Sequence, residues 1–136
     1  MTAGVTTLVR GRWVVVGDTT GNRIVNDGAV AVSGSKIHET GNWTDLRRKY
    51  PHVRVLGSPE ICVLPGFINA HHHTGASTTL QHGIADNLLE LWLPTHSGKS
   101  SVSPYLETLL GAARMLRSGI TNVVDFHLCV GRQEDC

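Results

Sequence analysis

The sequence predicts an α/β protein: a β-rich first part, residues 1–60, followed by a part that alternates strand and helix, residues 61–136. Three observations carry this. Short β-branched and aromatic runs recur between turn clusters up to residue 60, a continuous apolar run stands at Ile61-Cys62-Val63-Leu64, and a helical stripe between Ser103 and Gly119 leads straight into a second apolar run. Short strands between turn residues suggest a sandwich or barrel, whereas strands alternating with helices suggest βαβ units and a parallel sheet.

In chain order, Thr6–Val9 and Trp13–Val16 read as strands, and Gly17-Asp18-Thr19-Thr20-Gly21-Asn22 as a turn. Gly28–Val32 is a further strand closed by Ser33-Gly34-Ser35, and Ile37 opens another that Gly41 and Asn42 break. Thr44–Tyr50 predicts a short helix, capped by Thr44 or Asn42 and stopped by Pro51, and Val53–Leu56 a strand. Ile61–Leu64 and the following Phe67-Ile68-Asn69-Ala70 have the unbroken apolarity of strands covered on both faces. Gly83–Leu93 predicts a helix ended by Pro94, with loop over 95–103. Ser103 and Pro104 suit the N-cap and first position of the next helix, and Leu106, Leu109, Leu110, Ala113 and Leu116 form one stripe on it. Gly119 ends this helix, and Ile120–Phe126 returns to strand.

Composition narrows the function. Hydrophobic residues make up 40% of 136, enough for a packed core, and the net charge of +1 shows no basic stripe, which argues against nucleic acid. No apolar run approaches the ~20 residues of a membrane span, and no signal peptide is evident at the N-terminus. Cys62, Cys129 and Cys136 make an odd count without a C-x-x-C, which fits isolated thiols in the cytoplasm better than a disulfide framework or thiolate zinc site.

The unusual feature is eight histidines, three of them consecutive: His71-His72-His73. Side chains alternate along a strand, so His71 and His73 share a face and His72 points away. Two imidazoles so placed can chelate one divalent ion through bonds of about 2.0–2.1 Å. The pair closes an apolar strand, and the C-terminal ends of strands carry the active site in barrels of alternating strands and helices. Among the other histidines, His82 and His96 read as surface residues in loops, and His127 ends the second strand, where the strand boundary leaves open whether it faces a substrate pocket or turns away. Asp125 reads as a strand-end cap, and Leu88, Leu91 and Trp92 as core packing.

Pro65-Gly66-Phe67-Ile68-Asn69-Ala70-His71-His72-His73 resembles the first metal motif of the amidohydrolase superfamily. The segments 78–88, Leu89-Glu90-Leu91-Trp92-Leu93-Pro94 and 116–125 are similar to the cytosine-deaminase-like and chlorohydrolase-like (atrazine/triazine hydrolase) branch, and Asp27–Val30 with Ser35–Ile37 to its opening strands. The resemblance implies the start of a (β/α)₈ barrel over 61–136, with residues 1–60 as the N-terminal part of a composite β-sandwich. It implies metal ligation by His71 and His73, zinc first and iron second, with the remaining ligands and proton-transfer groups downstream. It also implies hydrolysis of non-peptide C–N bonds in a small N-heterocycle or amide by metal-activated water, and it leaves room for a homo-oligomer of the complete enzyme.

Length is the departure. A (β/α)₈ barrel takes roughly 250 residues, so the chain is expected to be an N-terminal fragment, inactive and poorly folded alone. The rivals are a small non-catalytic metal-binding protein using His71 and His73 with His127 as an optional third ligand, a scaffold derived from the same fold, and a flavodoxin-like module, weakened because no Gly-rich phosphate loop follows a strand.

Overall fold

The computed structural model describes residues 4–19, 21–98 and 102–127, except for the side chain of Asp18. Cys129 and Cys136 lie outside the described residues, and Cys62 is a free, exposed thiol. The chain forms two compact units, Met1–Pro65 and Gly66–Cys136.

The first unit is a five-stranded sheet. Strands β1 (Thr7–Asp18) and β2 (Gly21–Ser33) form a long antiparallel hairpin, and β3 (Lys36–Asn42) extends it beyond β2. The two runs read at Thr6–Val9 and Trp13–Val16 are thus one continuous strand. Turns fall at the expected clusters, where Gly21 and Gly34 adopt positive φ. Helix α1 (Trp43–Lys49) starts where Asn42 Oδ1 accepts from the Thr44 N–H, so Asn42 is the cap. β4 (Arg54–Gly57) pairs parallel with Thr7–Arg10 of β1, and β5 (Cys62–Val63) pairs parallel with Trp13–Val14 farther along the same edge. Cys62 and Val63 therefore belong to the first sheet, and the break between units falls at Pro65/Gly66 rather than at 60/61. Leu8, Ala29, Ala31 and Leu46 form the core, flanked by Val5, Trp43, Tyr50 and Val53. Glu39 ties β3 to α1 by accepting from Lys49 Nζ at 2.6 Å and from the Tyr50 hydroxyl, and these bonds hold its carboxyl below the usual range.

The second unit opens with β6 (Phe67–His72), which pairs parallel with β7 (Ile120–Asp125). Between them lie two short 3₁₀ turns, Thr74–Ala76 and Leu80–His82, helix α2 (Leu89–Ser97) and helix α3 (Pro104–Arg117). This is a strand-helix-strand crossover with parallel strands, the repeating step of an α/β barrel. The chain is packed tightly where β6 begins: a Cβ added at Gly66 would sit 2.1 Å from Thr121 Oγ1, so only glycine fits before Phe67.

Three expectations for this unit are corrected. Helix α2 begins at Leu89 instead of Gly83 and runs through Pro94 to Ser97. Pro94 lacks the N–H that would serve the Glu90 carbonyl, a loss this short helix absorbs without breaking. Ser103 precedes α3 but makes no side-chain cap, although Pro104 occupies the first turn as expected. The leucine stripe does not face inward either: Leu106, Leu109 and Leu116 are exposed, Leu116 at 68%, while Glu107, Gly111 and Met115 are buried. The helix packs through its smallest residue and its carboxylate because they face the Thr74–Ser77 turn. At its C-terminal end Gly119 takes the left-handed conformation, φ 78°. No helix among the described residues is long and apolar enough to cross a membrane.

Candidate metal centre

The histidine run sits where β6 ends. Register along β6–β7 slips between the Asn69↔Val123 and His72↔Asp125 pairs, so β6 carries one extra residue there. Such bulges re-aim side chains near functional sites. The displaced His71 N–H does not go unpaired, because Asn69 Oδ1 accepts it at 3.2 Å. Beyond the bulge, His71 and His73 fall on one side and His72 on the other, as strand alternation predicts.

The result is a close pair of imidazoles. His71 Nε2 and His73 Nε2 are 3.0 Å apart, with the rings nearly perpendicular at 87°. His73 Nδ1 lies 2.6 Å from the Phe126 carbonyl oxygen, which can only accept, so Nδ1 carries the proton. With its proton on Nδ1, the imidazole of His73 has Nε2 as the ligating atom, and this atom faces His71. Ligands bonded to one ion at about 2.0–2.1 Å lie about 3 Å apart, so the two residues fit a shared divalent cation. The outer hydrogen bond to a backbone carbonyl is the usual way a metal-binding imidazole is oriented.

His72 points toward α3. Its Nε2 is buried without a hydrogen-bond partner among the described residues, and a Cβ placed on Gly111 would approach it to 3.3 Å and Ser77 Oγ to 2.6 Å. The absence of a side chain at Gly111 is what lets the helix close over this turn.

A second polar cluster adjoins the pair. Thr74 is buried, and its N–H and hydroxyl donate to Asp125 Oδ1 and Oδ2 at 3.0 and 2.6 Å. The hydroxyl has one proton, spent on Asp125, so it accepts from His127 Nδ1 at 2.7 Å. His127 is thereby set with its proton on Nδ1 and Nε2 bare. Burial pushes the Asp125 carboxyl up, but the two Thr74 bonds, aided by His127 and His72, outweigh it and hold it below the ordinary aspartate range. Asp125 thus acts as a cap, fastening the turn after β6 to the end of β7. Glu107, 2% exposed on α3, anchors the same turn by accepting from the Thr78 N–H at 2.9 Å and from its hydroxyl.

Among the described residues no three His, Cys, Asp or Glu side chains gather as a metal site, so neither His127 nor Asp125 joins His71 and His73. The small metal-binding rival, for which His127 is an optional third ligand, keeps only His71 and His73. His82 is exposed as expected, whereas His96 is not a surface residue: it is 3% exposed within α2 and stacks on Trp92 at 4.6 Å between centroids. Sequence reasoning missed Thr74 and Phe126. A threonine directly after the strand was a signal for the first; nothing in the sequence marks a carbonyl acceptor at the second.

Comparison with known proteins gives the site its context. Residues 62–132 match the amidohydrolase family, and residues 28–52 match an imidazolonepropionase-like composite domain of bacteria. The chain is 32% identical over 133 residues to a 5-methylthioadenosine/S-adenosylhomocysteine deaminase of Thermodesulfovibrio yellowstonii, covering 91% of this chain and 30% of that protein. It is 36% identical over 111 residues to the enzyme of the same name from Nitratidesulfovibrio vulgaris, covering 77% of this chain and 25% of that protein. Among solved structures, an adenosine deaminase from Xanthomonas campestris with bound zinc matches with a TM-score of 0.72 at 30% identity, over 92% of this chain and 29% of that one. The chain spans less than a third of the length of each of these proteins.

Proposed function

Since this chain belongs to the amidohydrolase family, we propose that it is the N-terminal portion of a metal-dependent deaminase, in which His71 and His73 hold a divalent metal, zinc in the first instance. The observation that carries this reading is the 3.0 Å approach of the two Nε2 atoms, one of them oriented through the Phe126 carbonyl. The first unit supplies part of the composite β-sandwich and the second the first strands of the barrel, as the two family matches support.

When bound, a divalent metal lowers the pKa of water toward about 7 and so supplies hydroxide at neutral pH. The chain's own residues hold and aim. His71 and His73 fix the ligand geometry at the end of β6, Asn69 stabilises the bulge behind them, and the Thr74–Asp125 bonds lock the following turn. His127 donates from Nδ1 to the Thr74 hydroxyl, which leaves Nε2 free to accept a hydrogen bond from a substrate. The expected chemistry is hydrolytic removal of an amino group from a small heterocycle. The relatives' names favour 6-aminopurine nucleosides over the chlorinated triazines of the other side of the resemblance. A cytoplasmic location remains the expectation from the scattered thiols, as does a small-molecule substrate rather than a nucleic acid.

The test is ammonia release from adenosine, 5′-methylthioadenosine and S-adenosylhomocysteine by the complete protein. Turnover that is abolished by a chelator, restored by zinc and absent in His73→Ala supports the proposal. A metal-loaded protein that releases ammonia from none of them contradicts the deaminase assignment.

A further inference from the structure

Phe126 lies just beyond β7, and each part of it engages one member of the histidine run. Its N–H donates to the His72 carbonyl at 2.7 Å, closing the strand pair after the bulge. Its carbonyl accepts from His73 Nδ1 at 2.6 Å. Its ring stacks on the His71 imidazole, with centroids 4.7 Å apart and planes 28° from parallel. The second ligand ring is met more obliquely, at 6.2 Å and 59°.

We propose that Phe126 is a positioning residue for the metal-binding pair: its carbonyl fixes the tautomer and direction of His73 while its ring fixes the plane of His71. An imidazole free to rotate about its two side-chain torsions meets a cation in the right orientation only part of the time, and holding it there before binding removes that cost. His73 is held by a hydrogen bond. His71 makes no comparable outer bond among those found for the described residues; the flat face of Phe126 is what restrains it, in an offset stack of the kind aromatic pairs favour. A single residue from the neighbouring strand thus holds both ligands, so assembly of the pair depends on β7 being in register with β6. Phe126 touches neither substrate nor metal in this role.

This inference rests on the proposed metal site, and the experiment separates the two. The complete protein is prepared metal-free as wild type, Phe126→Ala, Phe126→Leu and Phe126→Tyr. Zinc affinity is measured by competition with a chromophoric chelator, the visible spectrum of the cobalt(II) form is recorded, and melting of the metal-free forms is followed. All variants keep the backbone carbonyl, so they isolate the ring. Phe126→Ala and Phe126→Leu are expected to lose about tenfold in affinity, the lower end of what removal of an outer-shell partner costs. Their cobalt bands should shift in position or intensity, while Phe126→Tyr, which keeps the flat ring, restores both to wild type. Leucine tests the case in which alanine fails to fold, since it fills most of the space without stacking. Wild-type affinity and spectrum in Phe126→Leu would overturn the inference alone. A wild-type protein that binds no divalent metal would overturn it together with the metal site.

Discussion

At the residue scale, the candidate metal centre is set by where protons and lone pairs sit. His73 is fixed as the Nδ1–H tautomer by the Phe126 carbonyl, and His127 by a threonine whose own proton goes to Asp125. His71→Ala and His73→Ala should each weaken zinc binding at least as much as the ten- to hundredfold that loss of an outer partner costs, measured by chelator competition. Thr74→Val keeps the shape and removes the hydroxyl. It should destabilise the protein by about 1–3 kcal/mol in urea unfolding, because Asp125 and His127 are left without their shared partner. The pH dependence has a definite sign. The folded Asp125 carboxyl titrates below its ordinary value of 3.8, so its contribution to stability is present above that value and is lost as pH falls through the lower folded value. In Thr74→Val the acid limb should begin at higher pH. An acid limb identical to wild type would mean that the Thr74 hydroxyl does not set this carboxyl. The alternation rule located His71 and His73 on one face, but no rule of spacing could find the bond to Phe126, which spans 53 residues of sequence.

Elements were legible where local chemistry decides them and obscure where packing does. The hairpin turns, the Asn42 cap, the end of α3 at Gly119 and strand β7 all follow from turn and cap residues. The span of α2 did not, because Pro94 is a strong stop signal that this helix overrides. The inward face of α3 did not either, because a leucine stripe normally marks the core, and here the buried residues are Glu107, Gly111 and Met115, the first two set against the turn at residues 74–78. Two substitutions test that packing. Gly111→Ala would set a Cβ 2.6 Å from Ser77 Oγ and should lower stability by about 1–3 kcal/mol through overpacking. Glu107→Gln replaces one acceptor oxygen with a donor facing Thr78 and should cost about 1–3 kcal/mol. Thermal melts that match wild type in both variants would mean that α3 is held by its other face.

At the scale of the whole molecule, the described surface is unusually apolar: Ile68, Leu80, Leu88, Leu116 and Tyr105 each expose about two-thirds or more of their area. Single exposed apolar residues are ordinary, but so many on one strand, one turn, the entry to α2 and one helix mark surfaces that other elements cover. Strands β6 and β7 make a two-stranded sheet, too small to stand as a barrel. The 136-residue chain by itself should therefore bind a hydrophobic dye and melt without a sharp transition, whereas the complete protein should melt cooperatively. A sharp, monomeric, dye-free melt of the short chain would contradict this. The central claim concerns the metal, and anomalous diffraction at the zinc absorption edge from crystals of the complete protein tests it most directly. The account predicts one strong peak about 2.0–2.1 Å from both His71 Nε2 and His73 Nε2. Zinc-loaded crystals with no peak between these two rings, or with one bound elsewhere, would contradict it.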